Sequence, residues 1–330
     1  MNKFKSIQAY RVGWLLPIVD FFILCPILLR MKKKTASSLQ LLYHGDRKLI
    51  EQDIQSGAFF MTNHRDICMD AIWLTYLLRI RYFIRPYIGI GNNLFGKWWI
   101  EHVVRFMRAF VVIRNGGFRD QVENAKLLSD YIHHLRQRRK SIWLAQREGR
   151  AKDGNDVTQP GVLKMLTIDS DNFFESIKQL NICPVCISYE YDPCDYLKAR
   201  EMQLKRDKPG WKKSRKDDLL AMSVGIQGYK GRIVYRFTPS INHEIEKALA
   251  ENPALLQLSK NEQIQYVCNL IDQHIHAAYE IYERGEKFDQ YIDGQLAKIN
   301  LSNKDEDFLR KKLYEMYDNQ VKNYEKAQQN

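Results

Sequence analysis

The chain has 330 residues, 45% hydrophobic and 12% aromatic, enough for a sizeable core in one large domain or two small ones. Lysine and arginine outnumber aspartate and glutamate by 51 to 39, a net charge of +12, so the favoured partners are anionic: phospholipid, nucleic acid or phosphate-bearing molecules. The six cysteines (Cys25, Cys68, Cys183, Cys186, Cys194, Cys268) form no regular framework and several sit in apolar runs, which argues for reduced thiols in a cytosolic setting over disulfides.

The elements follow in chain order. Val12 to Leu29 is a mostly apolar run with basic flanks: Lys3, Lys5 and Arg11 before it, Arg30, Lys32, Lys33 and Lys34 after it. It is close to the minimum length for a bilayer span. Asp20 inside it would be costly in hydrocarbon, and Pro17 and Pro26 would bend a helix. The reading is a segment lying in one leaflet with basic residues on anionic headgroups; a true span and a buried helix are the alternatives.

From Thr35 the rhythm is α/β. Leu39 to Tyr43 reads as a short strand, Asp46 to Gln55 as a polar connection or short helix, and Ala58 to Thr62 as a strand. Asn63 to Asp70 reads as a tight loop, followed by a helix from Ala71. Arg81 to Tyr87 looks strand-like and Leu94 to Met107 has helical spacing. Ala109 to Ile113 is an apolar strand ending at Arg114 and a Gly116-Gly117 turn. Asp120 to Arg138 reads as a helix, and Ser141 to Ala145 as a buried strand running into the Gln146–Gly154 loop. Strands alternating with helices predict a mixed, largely parallel central sheet flanked by helices. Cys183 and Cys186 have metal-like spacing, but within an apolar run and with no second pair they read as part of a buried strand. Residues 195–220 form a strongly basic insertion containing Trp211, suited to an anionic membrane, an acidic carrier protein or plain solvent. From His243 the chain is helix-rich, with one amphipathic stripe from Ile264 to Tyr282 and another from Phe308 to Tyr324. The division expected is an N-terminal membrane-associated segment at 1–34, an α/β domain at 35–242 and a C-terminal helical region at 243–330.

Active groups of such sheets collect on loops at one end of the strands. The His64 loop, Arg114 and the Glu148–Gly154 loop each follow a buried strand. His64 with a nearby carboxylate, Asp66 or Asp70, supplies a base and an orienting acid. Arg114, Arg150 and Lys152 supply positive charge for a phosphate, and Gly149 lets backbone approach a ligand. For each arginine alone, a solvated surface charge is the plainer account. No P-loop, dinucleotide fingerprint, zinc signature or nucleic-acid module is present in the sequence.

Four stretches in order resemble the glycerolipid acyltransferases, the group containing glycerol-3-phosphate and 1-acylglycerol-3-phosphate acyltransferases. They are Asn63-His64…Asp70, Ala109-Phe110-Val111-Val112-Ile113-Arg114, Glu148-Gly149-Arg150-Ala151-Lys152, and Cys183-Pro184-Val185-Cys186-Ile187-Ser188-Tyr189-Glu190. The resemblance covers roughly Thr35 to Tyr191, with Gly231 to Ile241 similar to the family's late strand. Two departures stand out. Five residues separate His64 from Asp70 where the family has four, and the basic residue follows Glu148-Gly149 one position early. One extra helical residue turns a side chain by about 100°, so either the loop absorbs it or Asp66 takes the orienting role.

The resemblance implies a fatty-acyl donor on coenzyme A or acyl carrier protein and the hydroxyl of glycerol-3-phosphate or a lysophospholipid as acceptor. In that reading His64 is the general base and Asp70 orients it. Arg114, Arg150 and Lys152 hold the acceptor phosphate, and Glu148 and Gly149 shape the pocket. No metal or resident cofactor is implied. The expected setting is the cytoplasmic face of a membrane, with lipid as partner and no nucleic acid. An amino-acid lyso-lipid acceptor and a non-catalytic lipid-binding scaffold are the alternatives. Cys68, inside the first motif, raises an acyl-cysteine intermediate as a further option, though the family transfers directly.

Overall fold

A computed structural model of the chain describes residues 3–10, 18–94, 98–113 and 116–329. Short apolar runs become seven strands: β1 (Ser38–Tyr43), β2 (Phe59–Thr62), β3 (Tyr87–Gly91), β4 (Ala109–Val112), β5 (Ile142–Ala145), β6 (Ile182–Tyr189) and β7 (Arg232–Phe237). They form one sheet in the order β1-β7-β6-β2-β5-β3-β4. Every neighbouring pair is parallel except β6 with β7. The helices before and among the first five strands are α1 (Cys25–Thr35), α2 (Arg47–Gln55), α3 (Met69–Tyr82), α4 (Trp98–Phe106) and α5 (Phe118–Gln137). Beyond β5 come α6 (Pro160–Leu166), α7 (Phe173–Leu180), α8 (Asp195–Asp207), α9 (Arg215–Gln227), α10 (Asn242–Glu251), α11 (Lys260–Ala277), α12 (Glu286–Ala297) and α13 (Glu306–Gln328).

The period of two in each strand feeds two apolar layers. In β2, Phe59 and Met61 join one layer and Phe60 the other. In β6, Cys183, Val185 and Ile187 face one layer, and Ile182 and Cys186 face the opposite one. The two cysteines of the Cys-x-x-Cys spacing therefore point to opposite sides of the sheet and cannot grip one metal ion. Both are buried free thiols. The first layer is closed by α5, α6, α7 and α11, the second by α2 and α3. Trp73, Leu74 and Leu78 of α3 are fully buried, worth roughly 1.5–3 kcal/mol for each large apolar side chain. A third cluster joins α8 to α12 and α13.

One expectation is corrected in detail. Arg81 to Tyr87 is not a strand: α3 continues through Tyr82 and is capped by Phe83 in the left-handed region at φ 59°. Tyr82 is held there by hydrogen bonds of its hydroxyl with Tyr43 and Glu51, and β3 starts only at Tyr87. The basic insertion is mostly helical, with α8 and α9 accounting for most of it. Lys198 within it is buried against Asp192 at 2.6 Å. Gly225 is a helical residue of α9 that packs on the His64 loop, against Asp66.

No helix among the described residues is long and apolar enough to cross a membrane. Residues 11–17 of the apolar N-terminal run lie outside the described residues. The remainder is a π-helical turn (Asp20–Leu24) leading into α1. The amphipathic stripe of α11 (Ile264, Val267, Ile271, Ile275) is buried in the first layer. Asp272 of α11 also bonds Thr158 at 2.6 Å, so this helix is continuous with the α/β core.

Candidate active site

The five strands from β6 to β4 are parallel, so their C-terminal ends share one edge of the sheet. β2 leaves that edge from the middle of the sheet, and its loop is tied down immediately. The Asn63 side chain accepts from the Ile187 N–H at 2.8 Å and donates to the Ile187 carbonyl at 3.0 Å. The amide thus prolongs the β2–β6 pairing past the end of β2.

Asp66 then makes the turn. Its Oδ1 accepts from the N–H groups of Cys68 and Met69, both at 2.9 Å, an arrangement short polar side chains favour just before a helix. Asp70 stands in the first turn of α3, where a carboxylate meets the positive end of the helix dipole. Its Oδ2 lies 2.9 Å from His64 Nδ1 and accepts from the N–H groups of Arg65 at 2.7 Å and Asp66 at 2.9 Å. Its Oδ1 accepts from the Tyr189 hydroxyl at 2.9 Å. The Tyr235 hydroxyl donates to the Asp70 carbonyl at 2.9 Å. Asp70 is fully buried and His64 is partly exposed. With the Nδ1 proton committed to Asp70, the Nε2 lone pair is available to take a proton. The His64 ring meets the edge of Trp143 at 6.4 Å.

The extra residue between His64 and Asp70 is absorbed by the Asp66 turn, before α3 begins. Asp70 is the carboxylate beside the imidazole, and Asp66 braces the turn. Burial, with the nearby charge of Asp70, raises the Asp66 carboxyl above its usual range, against the pull of Lys230. Lys230 is itself fully buried and lowered by burial, with its ammonium on the carbonyls of Gly225 and Gly228. Burial, reinforced by Asp66, pushes the Cys68 thiol up to about 12.

Beneath the loop lies a second ionic layer. Arg65, buried, lies 3.4 Å from Asp156. Burial acts against its charge, but Asp156 and Asp192 outweigh this and hold it above the usual guanidinium range. Asp192 is held down to about 2; burial opposes this, and Lys198 and Arg65 prevail.

The Gln146–Gly154 loop follows β5, next to β2. Glu148 and Gly149 stand exposed on it, Gly149 at φ +70°. The Glu148 N–H is held by Gln159 at 2.6 Å. Arg150 turns inward and is buried, with one terminal nitrogen lacking a hydrogen-bond partner. Burial works against its charge, and Cys194, Asp192 and Asp66 more than offset that. Lys152 pairs with Glu201 of α8 at 2.8 Å. Burial, and then the charge of Arg150, lowers its ammonium to about 8. Arg150 and Lys152 share a small pocket with Trp211 and Lys213. Arg114 follows β4 and lies outside the described residues. The end of β4 is three strands from β2, about 14 Å along the edge at the usual strand spacing.

The structure therefore brings His64 and Asp70 together and sets Arg150 under the same loop. Tyr189, Tyr235, Asp156, Asp192 and Lys230 complete the surroundings and were not singled out from sequence. The only signal for the tyrosines was their place in two of the stretches that carry the family resemblance; a buried hydroxyl needs a partner, but the burial itself was not read from sequence. Among the described residues no cluster of His, Cys, Asp or Glu could hold a metal ion. No protein-family model matches the chain, and no curated protein matches it in sequence.

Proposed function

We propose that this protein is an O-acyltransferase of the glycerolipid kind, moving a fatty acyl group from a thioester to the hydroxyl of a phosphate-bearing glycerol or lysophospholipid. The observation that carries the reading is the His64–Asp70 pair at 2.9 Å, set at the edge of the sheet where parallel strands present their loops. His64 Nε2 removes the proton of the acceptor hydroxyl, and Asp70 stabilises the imidazolium that forms. The alkoxide oxygen attacks the thioester carbonyl and forms a tetrahedral oxyanion. Its collapse breaks the C–S bond, and the thiolate leaves with the proton held by His64. In the same proposal Arg150 and Lys152, with Arg114, hold the phosphate, and Glu148 and Gly149 shape the acceptor pocket. The donor is acyl-CoA or acyl carrier protein as co-substrate, without a resident cofactor, and the reaction takes place at the cytoplasmic face of a membrane.

The test is transfer of labelled acyl groups from both donors, with glycerol-3-phosphate, a lysophospholipid and an amino-acid lyso-lipid as parallel acceptors. The wild type is expected to form labelled product and His64→Ala to lose it. No transfer to any acceptor by folded protein would overturn the reading in favour of a non-catalytic lipid-binding protein.

A further inference from the structure

The apolar N-terminal run contains one acid, and its placement sets how the segment lies. Asp20 is buried against the protein and pairs with Arg85 and, at 3.6 Å, with Arg79 of α3. The group that forbids a passage through hydrocarbon is thereby turned inward. The same stretch turns apolar side chains outward. Phe22 is 71% exposed, and Ile23 and Ile27 are exposed beside it. At its other end α1 is pinned to the sheet: Leu28 and Met31 pack on the second layer, and the Thr35 carbonyl accepts from the Lys230 N–H at 2.7 Å. A segment anchored at both ends along the flank of the domain has one open face.

Two other elements border that face. The tip of α3, which carries Arg79, ends at Phe83, 80% exposed. α1 also packs on α9, and α9 exposes Leu219 and Leu220. Exposed large apolar groups on elements in contact point to a contact surface. The charge around them selects the partner. Arg30, Lys33 and Lys34 of α1 and Arg215 and Lys216 of α9 are all exposed. Apolar side chains bordered by basic ones match a bilayer with acidic headgroups.

We propose that α1, the tip of α3 and α9 form one lipid-docking face that lays this protein on an anionic bilayer. α9, the second helix of the basic segment, is a separate footing from α1. Leu220 and Ala221 of α9 also line the pocket of Arg150 and Lys152. Docking through α9 brings the rim of that pocket to the lipid surface, where a lysophospholipid can enter without passing through water. This inference rests on the membrane part of the reading above. Its test contains no acyl donor, so its failure is distinct from a failure of acyl transfer.

The full-length protein is sedimented with phosphatidylcholine vesicles, with and without phosphatidylglycerol. Leu219→Glu/Leu220→Glu and Phe22→Glu/Ile23→Glu are compared with wild type, each checked by thermal melting. Wild type is expected to prefer the anionic vesicles, and each double variant to lose about tenfold or more in partitioning. Amide exchange across 215–227 in the wild type is expected to slow on anionic vesicles, a readout that needs no variant. Wild-type partitioning by the α9 variant, or unchanged exchange across 215–227, would overturn the α9 footing. Binding abolished by salt but indifferent to both apolar pairs would also overturn the proposal, and would point to an acidic protein on the basic rim.

Discussion

Replacing Asp70 by Asn separates the charge of the orienting acid from its shape. The Asn carbonyl oxygen can take the place of Oδ2 and still accept from the Arg65 and Asp66 N–H groups and from His64. Its amide can donate to the Tyr189 oxygen, whose hydroxyl rotates. The fold is expected to survive, and the lost quantity is attraction between the imidazolium of the transition state and a carboxylate. For unit charges about 4 Å apart at an effective dielectric constant of about 20, that attraction is about 4 kcal/mol. The expected loss is therefore about a thousandfold in kcat, with little change in acceptor KM. Asp66→Asn is the control. It keeps the Oδ1 contacts to Cys68 and Met69, and the imidazole bonds Asp70 rather than Asp66. It should stay within about tenfold of wild type. The assay is labelled product formation at saturating donor, with thermal melting of each variant. Equal losses in the two folded variants would refute the assignment of Asp70 as the orienting acid, and full turnover by Asp70→Asn would refute the charge argument itself.

Three more outcomes follow from local geometry. A Cβ at Gly225 would stand 2.1 Å from Asp66 Oδ2. That carboxylate is buried and fixed by two N–H groups, so Gly225→Ala should destabilise by about 1–2 kcal/mol after the helix-propensity gain, read by denaturant unfolding; a more stable variant would show that α9 shifts freely. Lys152 is lowered to about 8, by burial first and by Arg150 second, and only its ammonium form can attract a phosphate. Acceptor KM should therefore rise as pH increases through about 8 while kcat holds, and Lys152→Arg should flatten the profile because its guanidinium stays charged; a wild-type profile flat to pH 9.5, about 1.5 units further, would remove Lys152 from the site. Cys68, pushed up to about 12 by burial and Asp66, holds almost no thiolate at neutral pH. Cys68→Ser is expected to retain turnover, whereas its abolition would establish a covalent step.

Much of the framework was legible because strand and helix periods are local properties. Phe59 to Thr62 and Ile182 to Ile187 alternate between two apolar layers, so they read as buried strands without a partner in view. The stripe of Ile264, Val267, Ile271 and Ile275 likewise shows the buried side of α11 from spacing alone. Between Arg81 and Tyr87 the local signal misled, because Tyr82 among arginines alternates like a strand. Its hydroxyl instead meets Tyr43 and Glu51, residues 39 and 31 positions earlier.

The sequence by itself determined that a histidine and two candidate acids follow closely after one buried strand, since this needs only residue types and their order. Which acid meets the imidazole was decided by tertiary structure. The Asp66 turn consumes the extra residue, and Tyr189 and the N–H groups of Arg65 and Asp66 converge on Asp70 alone. The same holds for Asp20. As a letter in an apolar run it argues against a membrane span; only Arg79 and Arg85, about 60 residues later in the chain, turn it inward and leave Phe22 and Ile27 facing out. Charges and hydroxyls gain their meaning from partners brought close by folding, and periodicity carries no record of those distances.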